Sequence, residues 1–325
     1  MVFIDVSRKN VVDYTCPYDK KETSIMKEHT QTITESLLKA AGALGEQYKQ
    51  QALFDMSIED KVPNRETVIS VVEHLRKITF PGFFGSRNMT YADKESFAAT
   101  ILAEIYEMLY KQIKNGLTYV ERIEDCEEIH KKSEALAKEF ILRVPEAQAL
   151  IMKDVEAEFD GDPAAKDRED IIFSYPGLYA IFVYRYAHIL YELKIPYIPR
   201  IMTEHAHGLT GIDINPGAKI GEYFCIDHGT GIVIGETTEI GNHVKIYQGV
   251  TLGALSTRKG QGLAGVKRHP TIEDNVVIYA NTTILGGETV VGKNSVIAGN
   301  TFVIESIPAN TKVASTLPKL ELKNM

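Results

Sequence analysis

The chain has 325 residues, enough for one large or two ordinary domains, and 44% of them are hydrophobic. Its net charge of −8 argues against a nucleic-acid partner, because proteins that bind a phosphate backbone usually carry a basic surface. The three cysteines are far apart, which excludes a disulfide framework and indicates a reducing compartment.

Neither the N-terminus nor the most apolar stretch has the pattern of a membrane segment. Charged residues interrupt the first 14 positions, where a signal peptide needs an apolar run. The most apolar stretch, residues 171–184, contains Pro176 and Gly177 and is too short to span a bilayer. We therefore predict a cytoplasmic protein without a membrane partner.

Residues from about 25 to 200 have the periodicity of helices. Apolar residues recur at helical spacing over 95–113, among strong helix formers, and the stretches that begin at Arg65 and Cys126 look similar. Pro176 suits the first turn of a further helix that ends before Lys194. We predict a mobile N-terminal segment over residues 1–24 and a helical domain over residues 25–210.

From about Gly211 onward an aliphatic residue returns every six positions. Near the end two frames compete, and we prefer the one in which glycine directly follows the aliphatic residue Val291. The series is Ile214, Ile220, Ile226, then Ile234, Ile240, Ile246, Leu252, then Ile272, Ile278, Ile284, and finally Val291, Ile297, Val303 rather than Val290, Val296, Phe302.

A six-residue period indicates a solenoid of short strands and turns, with three units in each triangular coil. Stacked coils would lie about 4.8 Å apart, with the aliphatic residues inside a narrow prism. Gly221, Gly235, Gly241, Asn242 and Gly292 suit corners that need unusual backbone dihedrals. The alternative, a β-sandwich of many short strands, is disfavoured by so regular a step. We predict a β-helix over residues 211–306 and a C-terminal tail over residues 307–325.

One stretch interrupts the repeat. Ile272 follows Leu252 by 20 positions, where uninterrupted coils would give 18, and the residues between are rich in Gly, Ser and Thr. We predict an excursion loop over residues 253–271. Its basic residues suit the phosphates of an anionic ligand, or are only a solvated surface. They are Arg258, Lys259, Lys267 and Arg268.

Four stretches between residues 160 and 304 together resemble the serine O-acetyltransferases, which are hexapeptide-repeat acyltransferases. They are GDPAAKDREDIIFSYPGLYAIFVYRYAHIL, DINPGAKIGEYFCIDHGTGIVIGETTEIG, YQGVTLGA and KRHPTIEDNVVIYANTTILGG. The resemblance implies an α+β fold, in which an N-terminal all-helical domain precedes a C-terminal left-handed parallel β-helix. It also implies acetyl transfer from acetyl-CoA to the hydroxyl of L-serine, the first step of cysteine biosynthesis.

The resemblance assigns the catalytic roles. His228 would be the general base, a task that suits imidazole because its ordinary pKa is about 6.5. Asp213, 15 residues earlier and so nearly one coil below, would fix the tautomer of that ring. His269 would lie beside the hydroxyl, on a backbone that Pro270 keeps extended. An acyl-enzyme on Cys225 is the rival route.

The resemblance also assigns the substrate contacts. Arg268 would bind the serine carboxylate, because a planar guanidinium meets two oxygens at once, and His269 would lie next to it. Asp162 and Asp227 would bind the ammonium group. Since Asp162 lies in the helical half, the site would join two domains and, as in the family, neighbouring subunits.

Acetyl-CoA would lie along a groove between adjacent β-helices, held by coil backbone. The matching positions are Gly253, Ala254, Ala280 and Gly299, and backbone N–H groups near the first two are candidates for the oxyanion site. Relatives often have glycine at the position of Ala254 and alanine at that of Gly299, so the shape of the groove differs. The family also has a lysine where this chain has Val296.

The resemblance implies a homo-oligomer, either a trimer or a dimer of trimers. A complex with O-acetylserine sulfhydrylase is in doubt, since this chain ends in Met325 and many relatives end in isoleucine. We expect no metal, although histidines 205, 207, 228 and 243 leave open a zinc site like that of β-helix carbonic anhydrases. The repeat is also compatible with an acetyltransferase for another small hydroxyl or amine, or with a non-catalytic scaffold.

Overall fold

The computed structural model describes residues 4–5, 10–11, 20–50, 62–85, 93–122, 126–256, 258 and 260–314. Two compact units divide the chain, Met1–Glu59 and Asp60–Met325. The first contains the antiparallel strands β1 (Ile4–Asp5) and β2 (Asn10–Val11) and the helix α1 (Lys20–Gln50). Most of the predicted N-terminal segment 1–24 and most of the predicted tail lie outside the described residues.

The second unit begins with helices that share one apolar core. Their first turns are capped where the sequence provides a polar side chain, because Asn64 and Asp93 accept hydrogen bonds from the N–H groups of Thr67 and Ser96. The helices are α2 (Arg65–Thr79), α3 (Lys94–Glu121), α4 (Glu127–Gly161), α5 (Arg168–Ser174), α6 (Pro176–Glu192) and α7 (Ile198–Thr210). Among the described helices, none combines the length and the apolar composition that crossing a bilayer requires.

Short parallel strands follow and form the three faces of a left-handed β-helix. Face 1 contains β3 (Asp213–Ile214), β6 (Val233–Ile234), β9 (Thr251–Gly253), β12 (Thr283–Leu285) and β15 (Phe302–Val303). Face 2 contains β4 (Lys219–Ile220), β7 (Glu239–Ile240), β10 (Thr271–Ile272) and β13 (Val290–Val291). Face 3 contains β5 (Cys225–Asp227), β8 (Lys245–Tyr247), β11 (Val277–Ile278), β14 (Val296–Ile297) and β16 (Lys312–Val313). We call the corner from face 3 to face 1 corner A, that from face 1 to face 2 corner B, and that from face 2 to face 3 corner C.

The six-residue series forms the core of the β-helix, as predicted. All of its members are buried except Ile220, which is partly exposed in the first coil. The choice between the two C-terminal frames is confirmed, because Val291 and Ile297 are fully buried whereas Phe302 is 68% exposed.

Two details of the predicted repeat are wrong. Ile272 does not lie one coil above Leu252; it pairs with Ile240 on face 2, while Ile284 pairs with Leu252 on face 1. The excursion therefore enlarges a single corner, corner B, rather than a whole coil. The β-helix also continues past residue 306, since Ile307 bridges to Val291 and β16 pairs with β14.

The glycines at the corners serve close packing rather than unusual dihedrals. Gly221, Gly235, Gly241 and Gly292 do not have positive φ, but a side chain at any of them would collide with the adjacent coil or its side chains. The left-handed backbone of corner C is instead found at Tyr223, His243, Asn275, Asn294 and Asn310.

Helices α4 and α6 cover the open edge of the first coil, which has no coil below it. Asp154 accepts a hydrogen bond from Phe224 N–H at 3.0 Å, and Glu158 accepts one from Ile226 N–H at 2.9 Å. Arg185 donates to the carbonyls of Ile220 and Gly221, each at 2.6 Å. These bonds satisfy strand groups that would otherwise be unpaired, and they place the end of α4 beside β5.

Candidate active site

His228 projects from an enlarged turn at corner A. The step from Ile226 to Ile234 takes eight residues, whereas the step from Ile246 to Leu252 at the same corner of the next coil takes six. The Gly229 N–H donates to the Asp227 carbonyl at 2.7 Å, across a His228 residue with φ of 59°. This tight turn is unfavourable for a histidine and leaves its side chain 76% exposed. Strain of this kind is concentrated at functional sites.

Two carboxylates interact electrostatically with this histidine. Asp227 Oδ1 is 3.6 Å from His228 Nε2. Asp162, which caps the C-terminus of α4, accepts hydrogen bonds from the Tyr175 hydroxyl at 2.6 Å and from Ala164 N–H at 2.8 Å. Those two bonds lower the pKa of Asp162, and the charges of Lys245 and His228 act in the same direction. We call Asp162, Asp227 and His228 the corner A half-site.

The structure describes both Asp213 and His228, but the two side chains do not form the predicted pair. Its carboxylate faces α7, where Oδ1 is 3.6 Å from Arg200 Nη1. Ligand atoms of Glu204, His207 and Asp213 lie within 4.8 Å of one another, a spacing that could hold a metal ion, but Arg200 also forms an ion pair with Glu204. The assignment of Asp213 as the partner of His228 remains a prediction.

The four histidines of the zinc alternative do not come together. His205 and His207 lie on α7, His228 projects at corner A, and His243 stacks on Tyr223 at corner C with ring centroids 4.5 Å apart. A carbonic-anhydrase-like site from these side chains in one subunit is not supported.

His269 lies at corner B and is only 8% exposed. Its ring packs directly on Gly235, where a side chain would approach His269 Cδ2 to 2.1 Å. Thr237 N–H donates to Nδ1 at 3.0 Å, so Nε2 carries the proton of the neutral ring. Burial, followed by the charges of Arg268 and Lys267, lowers the pKa of His269 to about 4. The neutral ring can therefore offer an N–H to a substrate atom.

Arg268 is held beside this ring by contacts that sequence reasoning missed. Its guanidinium forms an ion pair with Glu236, which also accepts a hydrogen bond from the Tyr191 hydroxyl at 3.0 Å. The Thr237 hydroxyl accepts hydrogen bonds from the N–H groups of Arg268 and His269. We call Arg268 and His269 the corner B half-site.

The two half-sites lie along opposite edges of face 1. The predicted coenzyme positions divide in the same way, because Gly253 and Ala254 lie at corner B whereas Ala280 and Gly299 lie at corner A. Ala280 and Gly299 are stacked in successive coils, since a side chain on Gly299 would meet the Ala280 carbonyl at 2.9 Å. A single chain thus carries both halves of the predicted site but does not join them.

Known proteins with similar sequences and structures identify the family. A plasmid serine acetyltransferase of Synechococcus elongatus is 41% identical over 261 residues, which cover 78% of this chain and 82% of the relative. The serine acetyltransferase of Bacillus licheniformis is 43% identical over 175 residues, which cover 54% of this chain and 78% of the relative. The chain belongs to the serine acetyltransferase family. It is therefore an acyltransferase, although no protein-family model matches it.

The solved structures agree with this assignment. Serine acetyltransferase 1 of Entamoeba histolytica, crystallised with L-cysteine, aligns with a TM-score of 0.66 and 35% identity. The alignment covers 78% of this chain and 87% of that protein.

Cys225 of this acetyltransferase is a poor candidate for the rival covalent route. The side chain is buried, and burial, followed by the negative charge of Glu158, raises the pKa of the thiol far above its ordinary value. A thiol attacks a thioester as the thiolate, which this environment opposes.

The excursion loop of the acetyltransferase contains a short 3-10 helix, Gly260–Leu263. Arg258 is exposed, Lys267 Nζ donates to the Thr237 carbonyl at 2.8 Å, and Lys259 lies outside the described residues. Two of the four basic residues of this loop, Lys267 and Arg268, are thus anchored at corner B. Binding of coenzyme phosphates by this loop remains a prediction.

Proposed function

We propose that this serine acetyltransferase transfers the acetyl group of acetyl-CoA to the hydroxyl of L-serine, giving O-acetyl-L-serine and CoA. The observation that carries the proposal is the exposed imidazole of His228, which lies 3.6 Å from the Asp227 carboxylate and interacts electrostatically with the Asp162 carboxylate. This arrangement offers a base for a hydroxyl and two anions for an ammonium group. The cysteine complex of the Entamoeba relative supports an amino-acid ligand of the same size.

The two half-sites have the opposite charges that an amino acid requires. Asp162 and Asp227 would bind the ammonium group, and Arg268 would bind the carboxylate through two parallel hydrogen bonds. The neutral His269 would donate its Nε2–H to the substrate. The serine hydroxyl would then lie at His228.

His228 would remove the hydroxyl proton while the serine oxygen attacks the thioester carbonyl. Backbone N–H groups near Gly253 and Ala254 would stabilise the oxyanion of the tetrahedral intermediate. As the carbon–sulfur bond breaks, His228 would return the proton to the leaving thiolate. Asp213 would orient the ring once its carboxylate turns from Arg200, a movement that the proposal requires.

A trimer in which one subunit supplies corner A and its neighbour supplies corner B would complete the site. The outer surface of face 1, which lies between the two half-sites, supports this arrangement. Beyond Asp213, the column of outward residues Val233, Thr251, Thr283 and Phe302 has no charge. On face 2 the corresponding column begins with Lys219 and Glu239. An uncharged, partly apolar face is the one that a second subunit would cover.

The test is release of thiol from acetyl-CoA, followed with a colorimetric reagent, in the presence of L-serine, L-homoserine or no acceptor. Serine-dependent release is expected, together with a loss of about 100-fold or more in kcat for His228→Asn, because a general base contributes about that factor. Asparagine is the suitable replacement, since Asn281 and Asn300 adopt φ of 60° and 57° at the same corner. Release of thiol with homoserine but not with serine would show that homoserine is the acceptor. An active His228→Asn enzyme would refute the mechanism.

A further inference from the structure

Lys245 is a partly buried cation that neither the sequence motifs nor the proposed chemistry includes. It lies on β8, one coil above Cys225, and its side chain is only 16% exposed. Its Nζ forms an ion pair with Asp227 Oδ2 at 2.8 Å and donates a hydrogen bond to the Gly161 carbonyl at 2.6 Å. It also lies 4.6 Å from the centroid of the Tyr247 ring.

These contacts connect the two chain segments that carry the ammonium-binding aspartates. Gly161 is the last residue of α4 and immediately precedes Asp162, while Asp227 ends β5 and immediately precedes His228. A single ammonium group thus fixes the end of the helix against the first coil. Gly161 permits this approach, because a side chain there would meet Cys225 Sγ at 3.0 Å and Lys245 Nζ at 3.5 Å.

Lys245 offsets the negative charges of two nearby carboxylates, Asp227 and Asp162. Glu158 is 1% exposed beneath β5, and its carboxyl group accepts hydrogen bonds from Ile226 N–H and, at 3.5 Å, from the Cys225 thiol. Burial raises the pKa of Glu158 to about 8, so this carboxyl group is largely protonated near neutral pH, and the charges that Lys245 offsets are those of Asp227 and Asp162. Burial opposes the charge of Lys245, but its hydrogen bonds to Asp227 and Tyr247 and the nearby negative groups outweigh burial and raise its pKa.

We propose that Lys245 is a positioning residue for the substrate ammonium group. It occupies Oδ2 of Asp227 and leaves Oδ1, the oxygen nearer to His228, available for the substrate. Through the Gly161 carbonyl it also keeps Asp162 close to Asp227 despite the repulsion of their like charges. This inference rests on the proposed role of the two aspartates in serine binding.

The experiment compares steady-state constants of the full-length oligomer for Lys245→Met, Lys245→Gln and Lys245→Arg. Lys245→Met should raise the KM for serine by about tenfold or more, because two hydrogen bonds of a charged group are lost. The KM for acetyl-CoA should stay within about twofold, since no predicted coenzyme position contacts Lys245. Lys245→Arg should recover part of the serine KM, because it keeps the charge and the donors.

Lys312→Met is the matched control. Lys312 lies on β16, at the far end of face 3, in the same row of paired residues as Lys245, and its side chain is exposed. Its replacement should leave both KM values unchanged. If Lys245→Met does not give folded protein, Lys245→Gln, which keeps a donor but loses the charge, is compared with Lys245→Arg by the same two constants.

Asp162→Asn and Asp227→Asn separate failure of this inference from failure of the proposed function. If these two variants raise the serine KM but the Lys245 variants do not, the positioning role is wrong and the substrate assignment stands. A lower serine KM in Lys245→Met would also overturn it, because Lys245 would then compete with the substrate for Asp227. If neither aspartate variant changes the serine KM, the substrate assignment itself is wrong.

Discussion

His228 and His269 are in opposite environments, although both are assigned to the same reaction. His228 is exposed on a strained turn, whereas His269 is enclosed by Gly235, Thr237 and the chain of the excursion loop. An exposed imidazole can exchange protons with a substrate, but an enclosed neutral one can only donate a fixed hydrogen bond. The two rings therefore cannot exchange roles, and the lowered pKa of His269 makes the stability of the fold depend on pH.

His269 should make the protein sensitive to acid. Its pKa is about 4 in the folded chain and about 6.5 when unfolded, so the unfolded state binds the proton more readily between these values. This contribution to stability is complete above pH 6.5 and is lost as the pH falls towards 4. His269→Asn keeps an acceptor for Thr237 N–H but does not titrate. Its thermal midpoint should therefore fall less between pH 7 and pH 4.5 than that of the wild-type protein.

The exposed His243 provides the control for this measurement. It has φ of 55°, which asparagine tolerates, so His243→Asn should fold normally. If the thermal midpoint falls equally between pH 7 and pH 4.5 in the wild-type, His269→Asn and His243→Asn proteins, other groups cause the acid sensitivity.

At the scale of elements, α4 is the support of the first coil. Asp154 receives two hydrogen bonds from Arg185, each at 2.9 Å, and both side chains are nearly inaccessible to solvent. Asp154→Ala would leave a buried guanidinium without its anion and Phe224 N–H without its acceptor. Loss of one partner of a buried pair costs about 3–5 kcal/mol of unfolding free energy, which urea denaturation would measure.

Lys153→Met is the matched control, because the neighbouring pair Lys153–Glu222 connects the same helix to the same coil at 2.7 Å but is partly exposed. An ion pair of this kind contributes about 0–1 kcal/mol. Equal losses of stability in Asp154→Ala and Lys153→Met would contradict the view that the buried pair supports the coil.

The sequence indicates elements better than the contacts between them. The six-residue period identifies the inward face because each aliphatic position faces the prism, and it correctly favours Val291 over Val290. It does not reveal that Ile272 stacks on Ile240, since an excursion hides which corner it enlarges. It also fails to reveal that α4 continues through Pro145 to Gly161, because proline normally ends a helix.

The residues around the candidate site are harder to identify from sequence than the site residues themselves. Motifs indicate Asp162, Asp227 and His228, because these residues lie in the stretches that resemble the family. Lys245 and Gly161 are 84 residues apart in the chain, and no local pattern relates them. The same is true of Glu236 and Thr237, which hold the corner B half-site from the coil below.

At the scale of the whole molecule, the decisive feature is the separation of the half-sites by face 1. If neighbouring subunits join corner A to corner B, two different inactive variants should restore each other in mixed trimers. We expect this for His228→Asn, which damages corner A, and Arg268→Ala, which damages corner B. Any mixed trimer then contains one site with both corners intact, so its activity should be about one third of the wild-type value.

Mixed trimers are obtained by coexpression of the two variants with different affinity tags and purification on both. The control combines His228→Asn with Asp227→Asn, which both damage corner A, so no mixed trimer of this pair has an intact site. The activity is measured at low serine, where both parent proteins are inactive. Restoration in the first pair alone would establish that each site is built from two subunits. Mixed trimers as inactive as their parents would mean that each chain must bring both half-sites together by itself, which the distance across face 1 opposes.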